Sequence, residues 1–210
     1  MAIYGAKYLQ WAKKTAGGVA GTSFPTYDAA VNLGPLVSVA DTITYASGRN
    51  YGDNVLQESV DEFQEIGVVA GMTEMPIEVA AAVYGATLSA NGGVAYGAED
   101  AAPEGCLGFY TTKLSKVEGV QAKTFQGVFY PSLKASRQGV TYNTKGQSIT
   151  FANGQANFVG SAEENGFFQV FSKNFTTEAE AKAWVDKMMA GGEAALTEIK
   201  ATPAAQQTNS

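Results

Sequence analysis

The chain has 210 residues and a net charge of −6 at pH 7, with no histidine and a single cysteine, Cys106. This composition excludes a disulfide framework, a zinc site built from cysteine and histidine, and a histidine general base. No run of about 18 apolar residues occurs and the first residues lack the order of a signal peptide, so we expect no membrane segment and folding in a cytoplasm.

Charge is distributed unevenly along the chain. Residues 41–104 carry eleven acids and one base, Arg49, whereas residues 105–173 carry seven bases and three acids. Such asymmetry argues against sequence-specific DNA binding, which needs a basic face. It is compatible with head-to-tail self-association of unlike patches, and equally with ordinary uneven surface charge.

The first third of the chain predicts strands separated by turns. Residues 1–14 alternate loosely and predict an opening strand. The β-branched run 31–45 predicts a second strand, whose start is limited by Pro35 to a sheet edge or a bulge. Residues 46–54, ASGRNYGDN, consist of turn formers and predict a long exposed loop.

Two structures are compatible with the segment that follows. Its acids recur at helical spacing, at Glu58, Asp61, Glu62 and Glu65. They lie opposite apolar residues, which allows a helix over 54–65. The whole run to Met75 also reads as a long strand with a bulge or two, and periodicity alone leaves both open.

Pro76 predicts the start of a short helix that ends before Gly85. Its apolar stripe would consist of Ile77, Ala80, Ala81 and Tyr84. A helix of about nine residues is too short to be stable alone, so we expect it to lie on a sheet.

The second half of the chain predicts further strands and one more helix. Short aromatic or β-branched segments occur at 106–114, 122–131, 147–152 and 166–173. Their spacing is typical of an antiparallel sandwich or barrel.

A capping box formed by Thr177 and Glu180 predicts a C-terminal helix, buried through a stripe that includes Trp184 and stopped at Gly191 and Gly192. We expect the polar tail beyond Ile199 to be disordered until something orders it.

Acidic pairs such as Asp61–Glu62, Glu99–Asp100 and Glu163–Glu164 are more typical of a solvated face than of a catalytic dyad. Cys106 is more typical of a small buried apolar residue than of a nucleophile. We therefore expect a protein without enzyme activity, cofactor or bound metal.

The run Tyr51-Gly52-Asp53-Asn54, followed by Glu58 and by a strand–Pro–helix–Gly unit that closes at Gly85, resembles the major tail tube proteins of long-tailed, non-contractile bacteriophages. The similarity covers most of residues 1–175 in order, and its further segments are 33–40, 103–113, 125–136 and 144–151.

The resemblance implies a mainly β fold, an antiparallel β-sandwich of two packed sheets with a flanking short helix. It favours a strand over a helix for 58–74. We expect one tail-tube domain over 1–175, with a long assembly loop at about 44–57 and the helix at about 76–84, followed at 176–210 by the C-terminal helix and a flexible tail.

In function, the resemblance implies a structural virion protein that forms hexameric rings, stacked into the tail tube through which DNA is delivered. Its partners would be further copies of itself, the tape measure protein and non-specifically held DNA in the lumen, and the tail tip and tail terminator proteins. The loop residues that would reach a neighbouring ring are Arg49, Asn50, Tyr51, Asp53 and Asn54. Acids that would line the lumen or contact a ring are Glu58, Asp61, Glu62 and Glu65. Like charge on the wall would keep the duplex mobile.

Two alternatives remain open from the sequence. One is a tube protein of a related bacterial injection machine. The other is a carbohydrate-binding β-sandwich in which Trp11, Trp184 and the tyrosines stack on sugars.

Overall fold

The computed structural model describes residues 2–20, 22–52, 55–117, 120–139 and 153–199. The predicted strand at 147–152 and the tail after Ile199 lie outside the described residues. In chain order the elements are β1 (Ala2–Ala16), β2 (Thr26–Tyr27), β3 (Val31–Asn32), β4 (Leu36–Gly52), β5 (Val55–Met72), α1 (Ile77–Tyr84), β6 (Thr87–Leu88), β7 (Val94–Ala95), β8 (Glu104–Val117), β9 (Val120–Ser136), β10 (Gly154–Gly160), β11 (Val170–Phe171), α2 (Glu178–Ala190) and α3 (Gly192–Ile199).

The strands form one large antiparallel sheet in the order β2-β1-β8-β9-β10-β5-β4, with β3 beside β1 and β11 beside β9. β6 and β7 make a separate two-stranded ribbon. The large sheet curls back on itself, as the contact between β4 at one end and β1 near the other end shows. The prediction of a mainly β, antiparallel fold with flanking helices is confirmed. The strands were expected in two packed sheets, and in the structure they belong to one continuous sheet whose two halves face each other.

The sheet is covered on both faces, and two cores result. Strand β8 serves both because successive side chains point to opposite faces. Leu107 and Phe109 enter the core enclosed by the curled sheet. Cys106 and Tyr110 enter a second core under α2 and α3.

Both predicted helices form, and a third one follows them. α1 ends at Gly85 in the left-handed conformation, but Ile77 is 55% exposed, so the predicted stripe fails in the first turn. The capping box of Thr177 and Glu180 that starts α2 is confirmed. The sequence predicted no helix beyond Gly191, yet the chain turns there and continues as α3.

A buried ion pair ties β1 to the loop before β11. The Lys14 ammonium lies 2.5 Å from Glu163 Oε1 and 3.4 Å from Glu104 Oε1. The Glu163 side chain is only 3% exposed, so the prediction of a solvated Glu163–Glu164 pair is wrong for Glu163. A buried carboxylate needs such a partner, because an unpaired buried charge is strongly destabilising.

Helix α2 reaches the sheet at two glycines. A Cβ added to Gly127 would lie 2.2 Å from Trp184 Cε3, and one added to Gly108 would lie 2.9 Å from Val185 Cγ1. These glycines therefore let the bulky residues of α2 lie directly on the strand backbone. None of the helices in the described ranges is long and apolar enough to cross a bilayer.

We expect Gly127→Ala to lower the free energy of unfolding by about 1–3 kcal/mol, because the added methyl group overlaps the Trp184 ring and forces α2 away from the sheet. Chemical denaturation followed by tryptophan fluorescence measures the change. Gly17→Ala is the matched control: its Cβ meets nothing within 4 Å, so its effect should stay below about 1 kcal/mol. Equal stability of both variants would contradict this account of the packing.

Candidate assembly surface

The hairpin of β4 and β5 extends beyond the rest of the sheet. β10 pairs with β5 only over Ile66–Met72, so the stretches Thr44–Gly52 and Val55–Glu65 pair only with each other. We call these two stretches the arm. From Thr44 to Asn50 every side chain is exposed. The expected loop at 44–57 is therefore wrong for its described part, which is a two-stranded ribbon.

A bulge sets which side chains share a face of the arm. Thr44 pairs with Glu65 and Tyr45 pairs with Phe63, so Gln64 has no partner in the ladder. Such an extra residue changes the phase of the alternation. The acids Glu58, Glu62 and Glu65 consequently share one face, which we call the outer face.

Asp61 lies on the opposite, inner face of the arm, which continues into the core of the curled sheet. Its Oδ1 accepts a hydrogen bond of 2.6 Å from the Ser47 hydroxyl. The structure thus brings three of the four predicted acids together and separates the fourth.

Aromatic rings hold the base of the arm on its inner face. The Phe63 ring stacks on Phe168 with 4.2 Å between centroids, and the Tyr45 ring meets it edge-on at 6.3 Å. Aromatic pairs of this geometry contribute about 0.5–1.5 kcal/mol beyond their buried area. Phe168 comes from the loop before β11, so the arm is fixed to the body through contacts distant in sequence.

The predicted loop residues lie at the far end of the arm. Arg49 pairs with Ser59 and Asn50 pairs with Glu58, both within the ladder. The backbone of Tyr51 pairs with that of Leu56. Asp53 and Asn54 lie outside the described residues. Those assembly candidates that the structure describes are therefore presented on regular strand backbone.

Charge on the arm is unbalanced. Arg49 is its one base in the described stretches, against four acids. No ion pair within the described part of the chain involves any of them. An acidic face without counter-charges favours a partner that brings cations, or a setting in which repulsion of anions is useful.

Strand β4 also leaves a free edge. It is the last strand in the sheet order, and in the described ranges no strand pairs with its other side. Proteins usually protect such edges with prolines, charges or short strands. β4 is 17 residues long, contains no proline, and its charged residues are Asp41 and Arg49.

A cationic pocket lies beside the end of β9 and was not predicted from the sequence. Lys134 and Arg137 line a cavity of about 420 Å³ together with Tyr84, Tyr96 and Asp100. Its residues come from four separate segments, so no local motif indicated it. The excess of basic over acidic residues in 105–173 was the one feature of the sequence that agreed with such a pocket.

The two tryptophans predicted as sugar platforms are buried. Trp11 is 3% exposed in the core of the curled sheet, and Trp184 is 6% exposed on the face of α2 that packs on the sheet. Neither ring can stack on a ligand at the surface.

Comparison with known proteins gives this chain no relatives: no family model matches it, and no curated protein matches its sequence.

We expect Phe63→Ala to release the arm from the body without unfolding the sheet. Loss of one aromatic stack should lower amide exchange protection in the arm roughly tenfold, while the strand over 66–72, held on both edges, keeps its protection. Hydrogen exchange measured by mass spectrometry tests this. Val60→Ala, on the outer face, should leave the protection of the arm unchanged, and an equal loss in both variants would refute an anchoring role for Phe63.

Proposed function

We propose that this chain is the subunit of a phage tail tube, a structural virion protein that forms hexameric rings stacked into a tube for DNA delivery. The arm is the observation that carries the proposal. It is a two-stranded ribbon with which no further strand in the described part of the chain pairs on either edge.

An arm of this kind is costly unless it has a partner. Isolated two-stranded ribbons are marginally stable in water. This one exposes apolar side chains as well, with Tyr45 51% and Val60 56% exposed. Burial of that surface against another subunit would contribute about 25 cal/mol per Å² of apolar area.

The length of the arm suits contact between subunits. Nine residues of strand, at about 3.3 Å each, reach about 30 Å beyond the last pair shared with β10. A ribbon of that length can contact a neighbouring copy at a distance from the body of its own subunit.

The free edge of β4 supports the same proposal. Unpaired N–H and C=O groups along a long strand form a template for pairing with another chain. A second copy that adds a strand there would extend the sheet from subunit to subunit. Head-to-tail contacts of this type close into rings when the rotation between copies allows it.

Acids of the arm that make no contact with another subunit agree with a wall around DNA. Repulsion between carboxylates and phosphates keeps a duplex from binding the wall, so that it remains mobile. In this role the tape measure protein and DNA occupy the lumen, and tail tip and terminator proteins contact the ends of the tube. A tube protein of a bacterial injection machine would need the same arm. For the carbohydrate-binding alternative, burial of both tryptophans leaves only tyrosines such as Tyr45 as exposed sugar platforms.

We expect the purified full-length chain to form rings or hollow tubes as its concentration rises. Negative-stain electron microscopy, with sedimentation velocity on the same samples, measures this. A monomer that persists at every concentration, also after incubation with tail-tip complexes, would refute the proposal.

We expect replacement of residues 47–61 by an Asn-Gly turn to abolish assembly and preserve the fold. The turn would close on the Ala46–Glu62 pair, and none of the removed residues whose side chains the structure describes belongs to either core. Circular dichroism should show a melting temperature within about 4 °C of that of the unmodified chain. Gly48→Ala, whose Cβ meets nothing within 4 Å, is the control that should still assemble. Normal tubes from the shortened chain would exclude an assembly role for the arm.

A further inference from the structure

We propose that the outer face of the arm binds, through Glu62 and Glu65, the cationic pocket formed by Lys134 and Arg137 on a second copy of the chain. This inference rests on the proposed function and names the surface that receives the arm.

The pocket presents a guanidinium that is already oriented. Arg137 Cζ lies 3.9 Å from the centroid of the Tyr96 ring, and Tyr84 meets that ring edge-on at 6.3 Å. Stacking fixes the plane of the guanidinium and leaves its N–H edge available. That edge matches a carboxylate, which it can bind through two parallel hydrogen bonds.

The pocket also has an excess of positive charge. Asp100 is its single acid, and Asp100 Oδ2 already accepts a hydrogen bond of 2.7 Å from the Gly97 N–H. No ion pair within the described ranges involves Lys134 or Arg137. An anionic group is therefore the ligand that the pocket fits.

The arm offers carboxylates at the same spacing. Glu62 and Glu65 are exposed, share the outer face, and are three residues apart, as are Lys134 and Arg137. Glu62 and Glu65 pair with Ala46 and Thr44, two residues apart, so the bulge leaves them about 7 Å apart along the strand. Two carboxylates can therefore meet two cations in one contact.

The chain's own arm does not fill this pocket. Lys134 pairs with Val159 of β10, which pairs on its other side with Gly67 of β5. The width of β10 thus separates Lys134 from the strand that carries Glu65. A second copy has no such restriction, and it brings the acidic face to the basic pocket by charge complementarity.

Charge reversal tests the contact. The arm variant carries Glu62→Lys and Glu65→Lys, the pocket variant carries Lys134→Glu and Arg137→Glu, and a fourfold variant carries all four changes and keeps the net charge of −6. The control, Glu74→Lys with Glu164→Lys, repeats the charge change of the arm variant at two exposed acids outside the arm. Circular dichroism checks that each variant folds.

We expect each reversed variant to lose at least tenfold in the fraction that sediments as tubes, and the fourfold variant to recover it. The control should assemble like the unmodified chain. The inference would be overturned if the arm and pocket variants assembled normally, or if the fourfold variant assembled as poorly as each of them. Neither result would contradict the tube function. Binding of a duplex DNA oligonucleotide that only the pocket variant loses, with assembly unaffected, would assign the pocket to DNA instead.

A cross-link keeps the inference testable if the unmodified chain forms no tubes. One sample carries Glu62→Cys and the other carries Lys134→Cys. Because Cys106, the natural cysteine, is fully buried, the introduced thiol is the exposed one in each sample. A disulfide is too short to replace a Glu–Lys contact, so a bismaleimide is used to join the two thiols. It should give a dimer in which mass spectrometry finds position 62 linked to position 134, and Glu74→Cys mixed with Lys134→Cys should give no corresponding link. A dimer without tubes supports the contact and refutes the tube. No dimer from the first mixture refutes the contact.

Discussion

β5 has 18 residues and its neighbour β10 has seven, and the rest of the architecture depends on this difference. Where β5 has a partner on both edges, Ile66 and Val68 become part of the core. Over Val55–Glu65 only β4 among the described strands pairs with β5, and Phe168 covers the ribbon only at its base. The exposed Val60, the unpaired acids and the reach that we propose for assembly all follow from strand length beyond the second neighbour.

Much of the fold could be predicted from local signals. Pro76 and Gly85 bracket α1, and the capping box at Thr177 starts α2, because these residues act on the backbone directly beside them. The continuous sheet could not be predicted, since its order joins β1 to β8 across about a hundred residues. α3 was missed because a pair of glycines, here at 191–192, usually marks the end of a helix. In the structure the chain only changes direction at these glycines, and α3 forms because it packs onto the second core.

The exposure of residues 46–50 was predicted correctly, and the backbone form of the segment was not. The polar residues and glycines at 46–54 suggested a loop. A strand that is exposed on both faces has the same composition as a loop, so composition alone could not distinguish the two. The acids of β5 suggested a helix because residues three apart share one face of a helix. In the structure the bulge at Gln64 puts Glu62 and Glu65, also three apart, on one face of a strand. The Lys134 pocket could not be predicted, since Tyr96 reaches Arg137 only through the tertiary fold.

The bulge at Gln64 also has a consequence for how the arm can evolve. Side chains alternate along a strand, so insertion or loss of one residue between Phe63 and the tip would move the residues beyond it, among them Glu58, from one face to the other. Natural arms should therefore lengthen or shorten by two residues on each strand together. Gln64 is one exception, because loss of the extra residue restores a regular ladder with both faces unchanged. Gln57, which has no partner at the irregularity between Asn50 and Tyr51, is a second exception. The arm can thus tolerate a single deletion at either of these two positions that it would not tolerate elsewhere along its described length.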